Sequence, residues 1–97
     1  MSEYYFEWDE DKNASNIVKH GISFDEASTV FDDFLGRIIP DPDHSVGEER
    51  FLLLGNSANS RLLIVCHCIR VNESIRIISA RKADKRERRI YEGYRNA

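Results

Sequence analysis

Three runs in the second half of the chain, RFLLLG (50–55), RLLIVCHCIR (61–70) and IRIISAR (75–81), are rich in β-forming residues and are separated only by NSANS and VNES. Loops this short make hairpins, so neighbouring strands in this part of the chain should be antiparallel. Their apolar residues are nearly continuous rather than alternating, the mark of middle strands covered on both faces for part of their length. A shorter run, RII at 37–39, reads as a further strand, stopped by the turn-rich segment PDPDHSVG.

Helices precede and follow these strands. EYYFEW sets Tyr4, Phe6 and Trp8 on one side and Glu3, Tyr5 and Glu7 on the other, the period of a half-buried strand. Asp9 then caps a helix, with Glu10 and Asp11 in its first turn and Gly21 at its C-cap; its apolar residues are Ala14, Ile17 and Val18. Ser23 and Glu26 have capping-box spacing, and Phe24, Ala27, Val30, Phe31 and Phe34 follow at helical intervals. Asp84 and Glu87 repeat that spacing before a helix over 85–94 carrying Ile90, Tyr91 and Tyr94. The expected architecture is α+β: an antiparallel β-sheet, two N-terminal helices packed on it, and a C-terminal helix.

Ninety-seven residues have room for one domain, 1–97, burying roughly two thirds of its unfolded surface. No apolar run approaches the roughly 20 residues of a membrane span, and MSEYYFEWDEDK is acidic where a secretory signal is basic and then apolar. These features lead us to expect a cytoplasmic protein with no membrane partner. Cys66 and Cys68, two apart on a strand, point the same way and do not readily close a disulfide, so buried, reduced thiols are expected. His67 between them faces the opposite side, and the three cannot surround one metal ion.

The formal charge of −3 conceals a division. Residues 1–50 carry 4 basic and 13 acidic side chains, whereas residues 51–97 carry 10 basic and 4 acidic. Seven of the fifteen residues in IRIISARKADKRERR (75–89) are Arg or Lys. An anion-binding surface in the second half accounts for this asymmetry, and so do two halves that pair with each other.

Three segments, FEWDEDKNASNIVKHGISFDEASTVFDD, PDPDHSVGEERFLLLG and IRIISARKADKRERRIYEG, together resemble the BrnT toxins of bacterial type II toxin–antitoxin systems. The resemblance covers essentially the whole chain in the same order. It implies a RelE-like α+β fold, a ribonuclease that stops translation, and neutralisation by a BrnA-like antitoxin whose ribbon-helix-helix domain binds operator DNA as a dimer. Two other readings compete with it. ParE toxins share the RelE-like fold but poison gyrase, and a noncatalytic module would bind only RNA or antitoxin.

RNA supplies its own nucleophile, the 2′-hydroxyl. Cleavage without a metal or other cofactor therefore needs a base, cations around the phosphorane and an acid for the leaving oxygen. Arginine suits the cationic role because its planar fork grips phosphate and stays charged. Arg76, a charge within an apolar strand, and Arg81, where strand passes to helix, are the leading catalytic candidates. Strict alternation puts them on opposite faces, so a shared site requires a bulge or strong twist near Ser79. A salt bridge to an acidic side chain on a neighbouring strand is the alternative role for Arg76.

GEER offers Glu48, Glu49 and Arg50 at a strand entrance, and similar residues recur in the family pattern. Arg50 is the strongest of these, with Glu49 as a base or an orienting group. Lys19 and His20 end the first helix, where the dipole favours cations, but a histidine there can also exchange protons. Trp8 packs in the core or, exposed, stacks a base; it matches the family's WD segment. Lys82, Lys85, Arg86, Arg88, Arg89 and Arg95 are too numerous for one site and are expected to attract RNA as a group. Asp41, Asp43 and His44 read as turn residues that can touch RNA or antitoxin.

Overall fold

The computed structural model describes residues 4–41 and 49–95. Strands β1 (Phe6–Glu7), β2 (Arg37–Pro40), β3 (Phe51–Asn56), β4 (Leu62–Ile69) and β5 (Ile75–Lys82) form one sheet in the order β1-β5-β4-β3-β2. Helices α1 (Glu10–His20) and α2 (Phe24–Thr29) follow β1, and α3 (Lys85–Arg95) follows β5. Among the described residues no helix is long and apolar enough to cross a membrane.

The β3–β4 and β4–β5 pairs are antiparallel, as their short connections require, and the β2–β3 pair is antiparallel as well. The expectation of a wholly antiparallel sheet fails at the first edge, where β1 runs parallel to β5 with Phe6 opposite Ile75 and Glu7 opposite Arg76. Both helices and three strands intervene between the two, so no hairpin dictates the direction of β1. The sheet is mixed.

Every residue of β4 from Leu62 to Cys68 is buried, consistent with cover on both sides. On one side Ile22, Phe24, Ala27 and Val30 pack on Leu53, Leu63, Val65, Ile77 and Ala80, with Phe6, Trp8 and Phe31 beside them. His67 lies on this side too, edge-on to Phe31 at 4.8 Å, and burial lowers its pKa. On the other side Tyr91 of α3 packs with Leu54, Leu62 and Ile64, and Ile90 rests against the same cluster. The α3 layer covers only part of that face.

Helix α1 begins and ends as its sequence dictates. The Asp9 carboxylate accepts from the N–H groups of Asp11 and Lys12, and Gly21 takes the left-handed conformation at φ 71°. Its docking surface is not the apolar one, however: Ala14, Ile17 and Val18 are exposed, and the buried residue is Asn16. The Asn16 amide donates to the carbonyls of Ile22 at 2.9 Å and Ala80 at 2.8 Å, and accepts from the Ala80 N–H at 3.2 Å. The reason lies in β1, which pairs only with the first two residues of β5 and leaves Ala80 without a strand beyond it. A buried peptide group needs partners, and the Asn16 amide supplies both in place of a neighbouring strand.

Helix α2 also departs from its apolar spacing. It passes into a short 3₁₀ helix, Val30–Asp32, and Asp33 then turns extended and accepts the Leu35 N–H at 2.9 Å. The chain leaves the helix before Phe34, which is 98% exposed rather than part of a buried face. Asp33 Oδ2 also accepts from the Asn56 N–H at 2.8 Å and from the Tyr91 hydroxyl at 2.7 Å, tying this turn to β3 and α3. Behind it, a Cβ on Gly55 would come within 3.0 Å of Val30 Cγ1 and 3.1 Å of Asp33 Oδ2, so a larger residue there would have to push these side chains aside.

Candidate functional site

The register of β4 against β5 decides what the open half of the second face carries. Cys66 stands opposite Ser79, but His67 stands opposite Ile77, leaving Ile78 as an extra residue in β5. This bulge reverses the alternation between Ile77 and Ser79. Arg76, Ser79 and Arg81 consequently stand opposite Cys68, Cys66 and Ile64, all on the same face of the sheet. The condition that the spacing of Arg76 and Arg81 imposed on a shared site is met at Ile78.

Arg50, His20 and Arg81 line one cleft of about 290 Å³, together with Asp41, Leu52, Ile64, Cys66, Ser79 and Ala80. His20 is brought there by the Asn16 clamp, which holds the end of α1 against β5, and its side chain is exposed. Arg50 enters just before β3, and its buried Nε has no hydrogen-bond partner. Arg81 donates from Nη1 and Nη2 to the two carboxylate oxygens of Glu87, each at 2.8 Å, and from Nη1 to the Lys82 carbonyl at 3.2 Å. Hydrogen bonding to Glu87 raises the Arg81 pKa, and the same bonds hold the Glu87 carboxyl below the usual range.

The cleft floor is less polar than its rim. Cys66 Sγ donates to Asp41 Oδ2 at 3.5 Å, and the thiol is pushed up to about 11, first by burial and then by the Asp41 charge, against a smaller opposing effect from Arg50. Cys66 is therefore a neutral thiol on the floor, and Cys66 and Cys68 are both buried and form no disulfide, as their spacing indicates.

Arg76 lies on the same face but belongs to an ion pair. Its Nη1 donates to Glu7 Oε2 at 3.2 Å, and Glu7 also accepts from the Ser74 hydroxyl at 2.7 Å, which is the first cause of its lowered pKa. The neighbouring-strand salt bridge weighed against function thus exists for Arg76, whereas the partner of Arg81 comes from α3. Glu49 is exposed and opens onto a second, larger cleft of about 850 Å³ with Glu7, Phe51, Cys68 and Arg70, so it does not join His20 and Arg81.

Trp8 lies on the other side of the sheet. Its ring packs edge-on to Phe24 at 6.0 Å and its indole N–H donates to Glu10 at 3.2 Å. Lys19 is exposed on α1, Lys82 at the end of β5, and Lys85, Arg86, Arg88 and Arg89 along α3. Glu48, Asp43, His44 and the side chain of Arg95 lie outside the described residues.

Two residues that build the site are not apparent from sequence spacing. Glu87 reads only as a capping residue, and it does exchange hydrogen bonds with Asp84 in both directions at 2.8 Å. Its grip on Arg81 spans a strand-to-helix turn whose geometry no periodicity encodes. Asn16 reads as one more polar residue on a solvated helix.

Residues 8–87 match the family model described as "Ribonuclease toxin, BrnT, of type II toxin-antitoxin system". The fold is similar to that of the Brucella abortus ribonuclease toxin, BrnT, in a crystal structure at 28% sequence identity and a TM-score of 0.66. That similarity covers 84% of this chain and 99% of the other. No curated protein matches the sequence.

Proposed function

Because this chain belongs to the BrnT family of ribonuclease toxins of type II toxin–antitoxin systems, we propose that its open sheet face cleaves RNA by metal-independent attack of the substrate's own 2′-hydroxyl, leaving a 2′,3′-cyclic phosphate and so halting translation. The observation that carries this reading is the bulge at Ile78, which sets Arg76 and Arg81 on one face with Arg50 and His20 close by. Arg81 and Arg50 meet the nonbridging phosphate oxygens, where preorganised cations act on the charge that develops in the phosphorane. Their role is electrostatic and needs no Lewis acid.

His20, on the rim of the same cleft, is the group placed to exchange protons with the 2′-hydroxyl or the leaving oxygen. Glu49 is the alternative, acting from the adjoining cleft. Comparing His20→Gln with Glu49→Gln separates them, since the true acid–base residue should cost about 10²- to 10⁴-fold in turnover. Arg76 steadies the far end of the face, and the exposed cations Lys19, Lys82, Lys85, Arg86 and Arg89 draw RNA towards it. Trp8 contributes by holding α1 in place.

A protein antitoxin follows from the family. We assign it the BrnA-like, operator-binding type, presenting carboxylates to the same arginine face and excluding RNA from it. The description of the family as a ribonuclease toxin favours RNA over the gyrase target of ParE toxins and over a noncatalytic module. The RelE-like superfamily and a cytoplasmic site of action belong to the same reading.

Naked RNA incubated with the purified protein tests the chemistry. Cutting should survive EDTA, and a 2′-deoxy nucleotide immediately 5′ of the scissile phosphate should abolish cutting there while binding persists. Efficient cutting at the 2′-deoxy position, or loss in EDTA that magnesium restores, would point to an activated water instead.

A further inference from the structure

The hydrogen bonds of Arg81 divide its guanidinium in two. A guanidinium has five N–H donors: one on Nε and two on each Nη. Glu87 takes one from Nη1 and one from Nη2, and the Lys82 carbonyl takes the other Nη1 hydrogen. What remains is the Nε–H together with the second Nη2–H. These two are parallel and form the side-on fork, a bidentate match for two phosphate oxygens. Arg81 lines a cleft that Arg50 also lines.

Glu87 is itself fixed. Its Oε1 accepts from the Asp84 backbone N–H at 2.8 Å, which ties the carboxylate to the first turn of α3, while its own backbone N–H donates to Asp84 Oδ1 at 2.8 Å and caps the helix. The Glu87 side chain is 14% exposed against 42% for Arg81. The carboxylate is therefore the anchor and the guanidinium the presented group.

We propose that Glu87 is a positioning residue for RNA cleavage: by holding Arg81 through its end-on fork, it aims the side-on fork at the scissile phosphate. This rests on the reading of the cleft as the ribonuclease site. Without Glu87 the guanidinium keeps its charge but not its direction, and a misaimed group loses transition-state contacts more than ground-state attraction.

The cap and the grip can be separated. Glutamine retains one oxygen for the Asp84 N–H, so Glu87→Gln keeps the capping box, but its NH₂ opposes the Arg81 Nη2–H and breaks the bidentate pair. Asp84→Ala does the reverse: it removes the cap acceptor for the Glu87 N–H and leaves the Arg81–Glu87 pair intact. We expect Glu87→Gln to lose about 10- to 100-fold in kcat with a much smaller change in KM and a Tm close to wild type. Asp84→Ala should lose several degrees of Tm and keep wild-type kcat below its transition. In an Arg81→Ala background Glu87→Gln should cost nothing further, because Glu87 acts through Arg81. Loss of turnover in Arg81→Ala with full turnover in Glu87→Gln overturns the inference alone. Multiplicative losses in the double variant, or a kcat loss in Asp84→Ala equal to that in Glu87→Gln, also overturn it. Full turnover in Arg81→Ala removes the site reading, and the positioning role with it.

Discussion

Two arginine–glutamate pairs of nearly identical composition stand in different parts of this molecule and do different things. Arg61, after the β3–β4 turn, donates from Nε at 2.9 Å and from Nη2 to Glu26 of α2, and its Nη2 also reaches the Gly21 carbonyl at 3.2 Å. The Glu26 carboxylate, 8% exposed, accepts from the Ser57 hydroxyl at 2.7 Å as well. Here the side-on fork is consumed within the fold, and the pair joins a turn to a helix. At Arg81 the carboxylate takes the end-on fork, the Nε–H is left outside that pair, and the residue lines a cleft. The choice of fork distinguishes a structural arginine from one with donors left for a ligand.

Substituting each arginine should break the comparison most sharply. Arg81→Ala is expected to lower RNA cleavage about 10²- to 10³-fold while the protein keeps a cooperative thermal transition. Arg61→Ala should lower Tm and leave cleavage per folded molecule unchanged. Cleavage assays run beside thermal melts check both, and equal cleavage losses in the two variants would remove the distinction. Arg76→Ala, whose Glu7 partner is half-exposed, should fall between them in cleavage.

A second effect belongs to the structural pair alone. Glu26→Ala leaves the Arg61 guanidinium and the Ser57 hydroxyl without their shared acceptor and should lower Tm by roughly 10 °C. A melt within two degrees of wild type would show the pair to be dispensable.

Acid should act on the same pair in a defined window. The Glu26 carboxyl is lowered from 4.5 to about 2, chiefly by its hydrogen bond from Arg61. Between those values the unfolded chain binds the proton that the folded chain refuses. The contribution is therefore complete above about pH 4.5 and lost as pH falls towards 2. Glu87 is shifted in the same direction by Arg81 and adds to the slope. Denaturant melts from pH 6 to pH 2 should show a shallower decline in Glu26→Gln than in wild type, and superimposable slopes would refute the assignment.

Salt should give the smallest change in stability and the clearest contrast in kind. RNA affinity should fall linearly with the logarithm of salt concentration, since the exposed cations neutralise phosphates. The Tm should move by no more than a few degrees over the same range, because the Glu26 carboxylate is shielded from bulk ions. Binding isotherms and melts between 50 and 300 mM salt compare the two.

The sequence by itself determined the strands, the caps and the family. Short loops forced two antiparallel pairings, β3–β4 and β4–β5, continuous apolar runs marked β4 as covered on both sides, and Asp9, Ser23 and Asp84 announced three helix starts, because these signals act over a few residues of chain. It also stated the condition for a shared site, a bulge near Ser79, without being able to supply it. Tertiary structure decided the rest. The direction of β1 depended on an edge of β5 far away in sequence, and the buried face of α1 depended on the peptide of Ala80, sixty-four residues from Asn16, needing a partner. The roles of the arginines depended on which hydrogens their carboxylates took. Periodicity describes how side chains are spaced along one element, whereas a bulge, an unpaired peptide and a half-used guanidinium arise only when separate elements meet.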